Sequence, residues 1–227
     1  MIQKQIKEIR KSIIAIGFKL NNSSVSIIGS GFAVNNDGKI LSAFHLYKGL
    51  NEEQKKNLIG MAMVEQEKDG LEKYDWFPLK FIDSDDQNDI ALFQIENPDK
   101  TLLKPLKLGD SEEIEVGDES YFIGFPYAAQ LINDNFGVTL IVNKTVISSI
   151  KRDGVNQKHP RNWFIIDAIS NPGNSGCPLL DLGKGEVIGI MTIAFRTKSK
   201  VQPNLDIREP MHIAGAKPIN LAKNLLS

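Results

Sequence analysis

Gly29-Ser-Gly-Phe-Ala-Val-Asn-Asn-Asp-Gly-Lys-Ile-Leu-Ser-Ala-Phe-His45 reads as two apolar runs joined by a tight turn. Asp37-Gly38 between such runs is a strong short-range hairpin signal. Working outward, the same texture continues on both sides. Strands are expected over Ile13–Leu20, Val25–Val34 and Lys39–Phe44, then Met61–Val64, Trp76–Ile82 and Ile90–Ile95. A second set follows at Ser120–Gly124, Gly137–Ile150, Trp163–Ala168, Glu186–Phe195 and His212–Ala216. Many short strands broken by turn residues indicate an all-β barrel or sandwich, not a parallel α/β sheet. Helix is expected only at the ends. Gln3–Ile14 places Ile6, Ile9, Ile13 and Ile14 near one face, and Asn220 precedes Leu-Ala-Lys-Asn-Leu-Leu. Surface loops are expected at Asn51–Lys73, Tyr127–Phe136 and Arg196–Pro210. Asn97–Lys107, with Pro98 and Pro105, is the expected connector between two halves, the first reaching about Glu96.

The chain has 227 residues, 41% hydrophobic and 24% charged, the composition of a folded domain. Its net charge of −1 gives no general attraction to nucleic acid or to an anionic membrane, so neither is an expected partner. The one cysteine, Cys177, cannot form an intramolecular disulfide. Three scattered histidines and that cysteine offer no zinc spacing, so neither metal nor other cofactor is expected. The N-terminal segment is cationic, but its apolar run is interrupted by Gly17 and ends in Lys19. This argues against a secretory signal and leads to the expectation of a cytoplasmic protein.

Three segments carry groups suited to chemistry. In Asp167-Ala-Ile-Ser-Asn-Pro-Gly-Asn-Ser-Gly-Cys-Pro-Leu-Leu-Asp181, Ser175 stands between Gly173 and Gly176. Such a loop can aim successive N–H groups at a developing oxyanion, although a plain surface turn has the same composition. His45 follows an apolar run, a rigid mount for a general base. His159, in a polar turn, and His212, near a strand start, have no comparable setting. Asp89 directly precedes Ile-Ala-Leu, where a carboxylate can accept from the histidine Nδ1–H. Asp83, Asp85 and Asp86 in the same turn read as solvated competitors. The order His45, Asp89, Ser175 matches the chymotrypsin template and not that of subtilisins or α/β-hydrolases.

With these residues in place the chain resembles trypsin-like peptidases, above all HtrA/Deg-type proteases and secondarily glutamyl endopeptidases. Gly29-Ser-Gly-Phe leads to His45, Asn88-Asp-Ile-Ala-Leu carries Asp89, and Leu108-Gly-Asp-Ser and Val116-Gly-Asp precede Ile123-Gly-Phe-Pro. Asn171-Pro-Gly-Asn-Ser-Gly and Val187-Ile-Gly-Ile complete the pattern. The resemblance implies two perpendicular six-stranded antiparallel β-barrels in one domain over residues 1–227, with the triad in the cleft between them. It also implies an oxyanion hole made by the N–H groups of Gly173 and Ser175. Asn174 stands where trypsin has the aspartate that pairs with a newly cut N-terminus, so activation by such a cut is not expected. Cys177 replaces the second glycine of the usual Gly-Gly-Pro. HtrA/Deg proteins usually append a PDZ domain; the sequence ends at Ser227, so the expectation is a protease domain without one. Such proteases often trimerise through N-terminal segments. Gln3–Ile14 could therefore build a homo-oligomer, dock on its own barrel or bind a regulatory partner.

The expected activity is hydrolysis of protein or peptide substrates through an acyl-enzyme, with Ser175 as nucleophile, His45 as base and Asp89 as orienting carboxylate. A specificity pocket is expected from Ser170, Met191, Thr192, Ile193 and Gly215, with Ile169, Asn171 and Ala194 beside them. No acidic residue stands at its base, so a small or medium apolar side chain is expected in place of Lys or Arg. The acid-reading histidine of glutamyl endopeptidases would fall at Met191, which argues against glutamate. Cys177 is expected to be a buried thiol and not the nucleophile. The competing reading is a catalytically silent or latent protease-fold module regulated by a partner; an esterase would share the chemistry and differ in substrate.

Overall fold

A computed structural model describes residues 2–21, 24–66, 72–96, 103–151, 162–201 and 205–226. The first half forms strands β1 (Ile13–Lys19), β2 (Val25–Ala33), β3 (Lys39–Ala43), β4 (Leu58–Gln66), β5 (Glu72–Asp85) and β6 (Ile90–Ile95). They close into an antiparallel barrel in the order β1-β2-β3-β6-β5-β4. The second half forms β7 (Glu119–Gly124), β8 (Ile141–Lys151), β9 (Trp163–Ile166), β10 (Pro178–Asp181), β11 (Val187–Lys198) and β12 (Arg208–Pro218). Their order in a second closed barrel is β10-β11-β12-β9-β8-β7. The expected all-β architecture of two six-stranded barrels is therefore the one observed. Closure removes the open edges that would otherwise template aggregation.

Three apolar clusters hold the barrels. Ile14, Ile16, Ile40 and Phe93 fill the first, and Phe122, Phe164, Leu179 and Cys177 belong to the cluster of the second. The third cluster straddles both halves, joining Phe32, Leu41 and Leu92 to Tyr121, Ile123 and Phe125. Burying one such Phe or Ile side chain stabilises by roughly 1.5–3 kcal/mol.

Departures from the expected elements have local causes. The N-terminal helix α1 covers only Ile2–Ile9, a 3-10 turn follows at Arg10–Ser12, and Ile13 and Ile14 belong to β1. Those β-branched residues pair with Phe32 and Gly31 of β2, so the sheet ladder overrides the helical spacing. The loop expected over Asn51–Lys73 holds a helix, all of β4 and the first two residues of β5. A capping box between Asn51 and Gln54 starts the short helix Glu52–Lys56. The Tyr127–Phe136 loop likewise contains a helix, Ala128–Asn133. Arg196–Pro210 is partly a ladder, with Arg196 opposite Pro210 and Lys198 opposite Arg208. Strand β10 was not expected at all. The connector expected at Asn97–Lys107 falls partly, and His159 wholly, outside the described residues.

Of the three roles open to the N-terminal segment, the structure shows docking on its own barrel. Ile2, Ile6 and Ile9 pack against the shared cluster beside Leu225 and Leu226. Gln5 Nε2 donates to the Gly183 carbonyl at 3.2 Å, and Arg10 pairs with Glu72. The helix's apolar face is thus partly covered by the protein itself, with Ile9 buried and Ile2 and Ile6 half-buried. Among the described residues no helix is long and apolar enough to cross a membrane.

Candidate active site

His45 sits on the first turn of the short helix Phe44–Lys48, directly after β3, so the barrel wall fixes its backbone. Asp89 lies at the mouth of β6 with φ +55, a conformation that Asp tolerates better than most side chains because its carboxylate can bond locally. The backbone orientation is enforced twice: Phe44 N–H donates to Asp89 O at 3.1 Å, and Asp89 N–H donates to Asp86 O at 3.4 Å. Both carboxylate oxygens then serve His45. Oδ1 accepts from the His45 backbone N–H at 2.7 Å, and Oδ2 lies 2.7 Å from Nδ1. The His45 side chain is 44% exposed and that of Asp89 28%, so the imidazole edge stays open while its anchor is half-buried. Among the competitors, Asp86 pairs with Lys48 and Asp85 accepts from Asn88. Neither is bonded to His45.

Ser175 lies in the second of two consecutive turns. Asn174 N–H donates to Asn171 O and Cys177 N–H to Asn174 O, each at 3.0 Å. The third residue of each turn is a glycine at positive φ, Gly173 at +99 and Gly176 at +83, as a type II turn demands. Pro172 presets the turn's second residue. The loop is then pinned to the first barrel. Ser30 N–H donates to Ser175 O at 2.9 Å, and Ser30 Oγ donates to Gly173 O at 2.7 Å. The same Oγ accepts from Phe125 N–H at 3.0 Å. A Cβ on Gly176 would stand 2.1 Å from Ser42 Oγ and 2.8 Å from Ala43 N, so the Ser175 loop abuts the strand end that carries His45. Among the described residues, no hydrogen bond joins Ser175 Oγ to His45.

One further contact sets the direction of an N–H group. Tyr127 N–H donates to the Pro172 carbonyl at 2.8 Å. In a planar trans peptide the N–H points opposite to the C=O, so the Gly173 N–H faces away from Tyr127. Tyr127 itself holds φ +49, an uncommon value for an aromatic residue.

Ser30, Tyr127 and Phe125 are the residues that sequence reading passed over as site residues. Their signal was present only as context: a lone serine between Gly29 and Gly31, and the Ile123-Gly-Phe-Pro motif. Removing the Ser30 hydroxyl orphans the Phe125 N–H and frees the Gly173 carbonyl. Ser30→Ala is expected to cost about 1–3 kcal/mol of stability and roughly 10²-fold in kcat through loop misplacement. Thermal melts and steady-state kinetics on that variant check both. An unchanged kcat would remove Ser30 from the site.

The residues expected to frame a specificity pocket are placed unevenly. Ser170 and Thr192 are nearly covered, at 7% and 9% exposure, whereas Ile193 is 38% exposed. Met191 departs from its expected place: its side chain is wholly buried in the second barrel's cluster. Its backbone instead backs the loop, accepting from Gly176 N–H at 2.6 Å and donating to Cys177 O at 2.9 Å. Gly215 faces Ile193 across the ladder, and a Cβ there would meet Ile193 Cγ2 at 2.6 Å. Among the described residues, neither amide atom of Asn174 nor the Thr192 Oγ1 finds a hydrogen-bond partner, and all three are buried.

Cys177 is completely buried, and desolvation pushes its thiol far up from the ordinary range. A thiolate is the reactive form, so this sulfur is expected to stay inert in the folded protein. A thiol reagent should modify it fully in guanidinium and leave the native protein untouched over the same hour. Rapid native labelling would contradict the burial.

Residues 29–190 match the family described as the trypsin-like peptidase domain, which covers most of the chain and all three chemistry-bearing segments. The chain belongs to the trypsin-like peptidase family. Among curated relatives of this trypsin-like peptidase, the periplasmic pH-dependent serine endoprotease DegQ of Escherichia coli is 37% identical over 166 residues, 73% of this chain and 31% of DegQ. The periplasmic serine endoprotease DegP of the same organism is 34% identical over 151 residues, 66% of this chain and 27% of DegP. The chain thus spans about a third of the length of these curated relatives. Among solved structures, Deg5 superposes with a TM-score of 0.68 at 23% identity, covering 98% of this chain and 90% of Deg5. The HtrA-type protease AlgW gives 0.67 at 24% identity, covering 100% of this chain and 62% of AlgW. Both show that this trypsin-like peptidase shares their fold.

Proposed function

We propose that the protein is a serine endopeptidase that cleaves protein or peptide substrates through an acyl-enzyme. The observation that carries this reading is the double engagement of Asp89 with His45. One carboxylate oxygen fixes the backbone and the other holds Nδ1, which leaves Nε2 as the basic nitrogen. In the proposed reaction Ser175 Oγ attacks the scissile carbonyl carbon as His45 Nε2 takes its proton. The carbonyl oxygen, now anionic, is stabilised by the N–H groups of Gly173 and Ser175. The C–N bond breaks, His45 protonates the leaving amine, and water then hydrolyses the acyl ester with His45 again acting as base. Ser170, Thr192 and Ile193 are proposed to frame the pocket for the side chain before the cut.

A latent resting state has one observation in its favour, the missing bond between Ser175 Oγ and His45. Against it stands the Tyr127–Pro172 contact, which supports a loop whose Gly173 N–H is already turned toward its proposed task. Catalytic hydrogen bonds are also often long before substrate binds.

The expectation of a cytoplasmic protein finds no support, because the matched relatives are named as periplasmic. Cell fractionation decides the compartment.

The test is labelling with a fluorophosphonate probe across pH 6–9. Wild type should label, and Ser175→Ala should not label while melting at the same temperature. Labelling that survives in Ser175→Ala would overturn the assignment of the nucleophile.

A further inference from the structure

Beyond Ala194, β11 and β12 leave the barrel as a two-stranded ribbon. β9 pairs with β12 only from Ala214 onward, and β10 pairs with β11 only as far as Ile190. Met191 closes that side by bonding to Gly176 and Cys177. From Thr192 to Lys198, among the described residues, the β11 edge facing away from β12 has no backbone partner. This open edge starts beside the proposed pocket and runs outward from it.

The ribbon also separates its charges. Arg196 lies opposite Pro210, Thr197 opposite Glu209 and Lys198 opposite Arg208. Paired residues share a face and successive ones alternate, so Arg196, Lys198 and Arg208 share one face, and all three are exposed. Glu209 falls on the other face and accepts from Ser199 Oγ at 2.5 Å. Arg208 has Asp206 at 3.8 Å. Among the described residues no carboxylate pairs with Arg196, with Lys198, or with Lys200 in the bend that follows. Like charges on an open edge repel a second copy of the same ribbon and admit a chain of opposite charge.

We infer that the substrate segment preceding the scissile bond pairs with this edge as an extended antiparallel strand, and that the cationic face selects acidic residues well upstream of the pocket. The inference rests on the serine endopeptidase reading and gives it a substrate class. Open N–H and C=O groups supply affinity for any extended chain, and side chains on one face supply the choice. With the residue before the cut beside Thr192, upstream residues advance along β11 one for one. Arg196 then faces the fifth residue before the cut and Lys198 the seventh, while the sixth lies on the face of Thr197. At about 3.3 Å per residue this reading extends roughly 20 Å from the cut.

Cleavage of paired peptides by the full chain tests the inference. A substrate found by digesting a proteome-derived library is synthesised with Glu at the fifth and seventh positions before the cut, or with Gln at both. At low salt kcat/KM is expected to be about three- to tenfold higher for the Glu peptide, through two exposed cross-strand ion pairs. At about 0.5 M salt the ratio should approach one. Glu placed at the sixth position alone should gain nothing. Arg196→Gln combined with Lys198→Gln should abolish the preference without a change in melting temperature, and Arg196→Glu with Lys198→Glu should invert it in favour of Lys. Equal rates on the Glu and Gln peptides would overturn the acidic preference. An equal gain at the sixth position would overturn the strand pairing, and a preference surviving the double Gln variant would overturn the assignment to this face. Absence of any cuts, with no fluorophosphonate labelling, would sink the peptidase reading itself.

Discussion

Asp89→Asn is expected to lower kcat by about 10⁴-fold while leaving the fold intact. Asp89 accepts twice, from the His45 backbone N–H at Oδ1 and from Nδ1 at Oδ2. An asparagine must keep its carbonyl oxygen on the backbone N–H, because turning its NH₂ there sets donor against donor. Its NH₂ group then faces Nδ1. That nitrogen can only accept, so the ring proton moves to Nε2, and the proposed base has lost the lone pair that would receive the Ser175 proton. The fold is spared because asparagine suits the +55 φ at this position as well as aspartate does. Single-turnover kinetics and a thermal melt read the two halves of the expectation. A loss of less than tenfold would mean that Asp89 does not set the tautomer.

The second large effect concerns folding. Gly176→Ala would place a methyl 2.1 Å from Ser42 Oγ and 2.2 Å from the Ser30 carbonyl. Those two atoms already share a buried hydrogen bond of 2.6 Å, so neither can withdraw without losing a partner. Positive φ adds its own strain of about 1–2 kcal/mol. A total cost above ~3 kcal/mol is expected, about 6–12 °C in Tm for a chain of this size. Gly137→Ala supplies the contrast, since its φ is +68 but nothing lies within 4 Å of the added carbon. It should pay the backbone strain alone. Equal melting of the two variants would show that the close approach at Gly176 does not matter.

Much of this was readable from residues that act through nearby neighbours. The Asp37-Gly38 hairpin and the apolar run before His45 are local, and so is the coupling of Asp89 to Ile90. The two glycines around Ser175 are local as well, because a turn's backbone demands are met within four residues. What escaped depends on distance or brevity. Strand β10 has only four residues and begins with Pro178, a poor strand signal, yet it is stitched between β7 and β11. The helix Ala128–Asn133 has no side-chain cap, so no start signal marks it. Ser30 could not be recognised as a site residue because its hydroxyl partner, Gly173, lies 143 positions away. Met191 looked like a pocket residue from its place beside Thr192, but its side chain is wholly buried in the second barrel's cluster.

The bridge made by Ser30 has a consequence for how the two barrels answer to one another. The loop that carries the proposed nucleophile is anchored by a strand of the opposite barrel, so it belongs to neither half alone. Slip between the halves would be felt at the Gly173 and Ser175 carbonyls as well as in the apolar cluster the two barrels share. The relative pose of the barrels is thereby transcribed into the shape of a single turn. Whatever grips the protein far from the cleft, on either half, has a mechanical route to the chemistry without touching it.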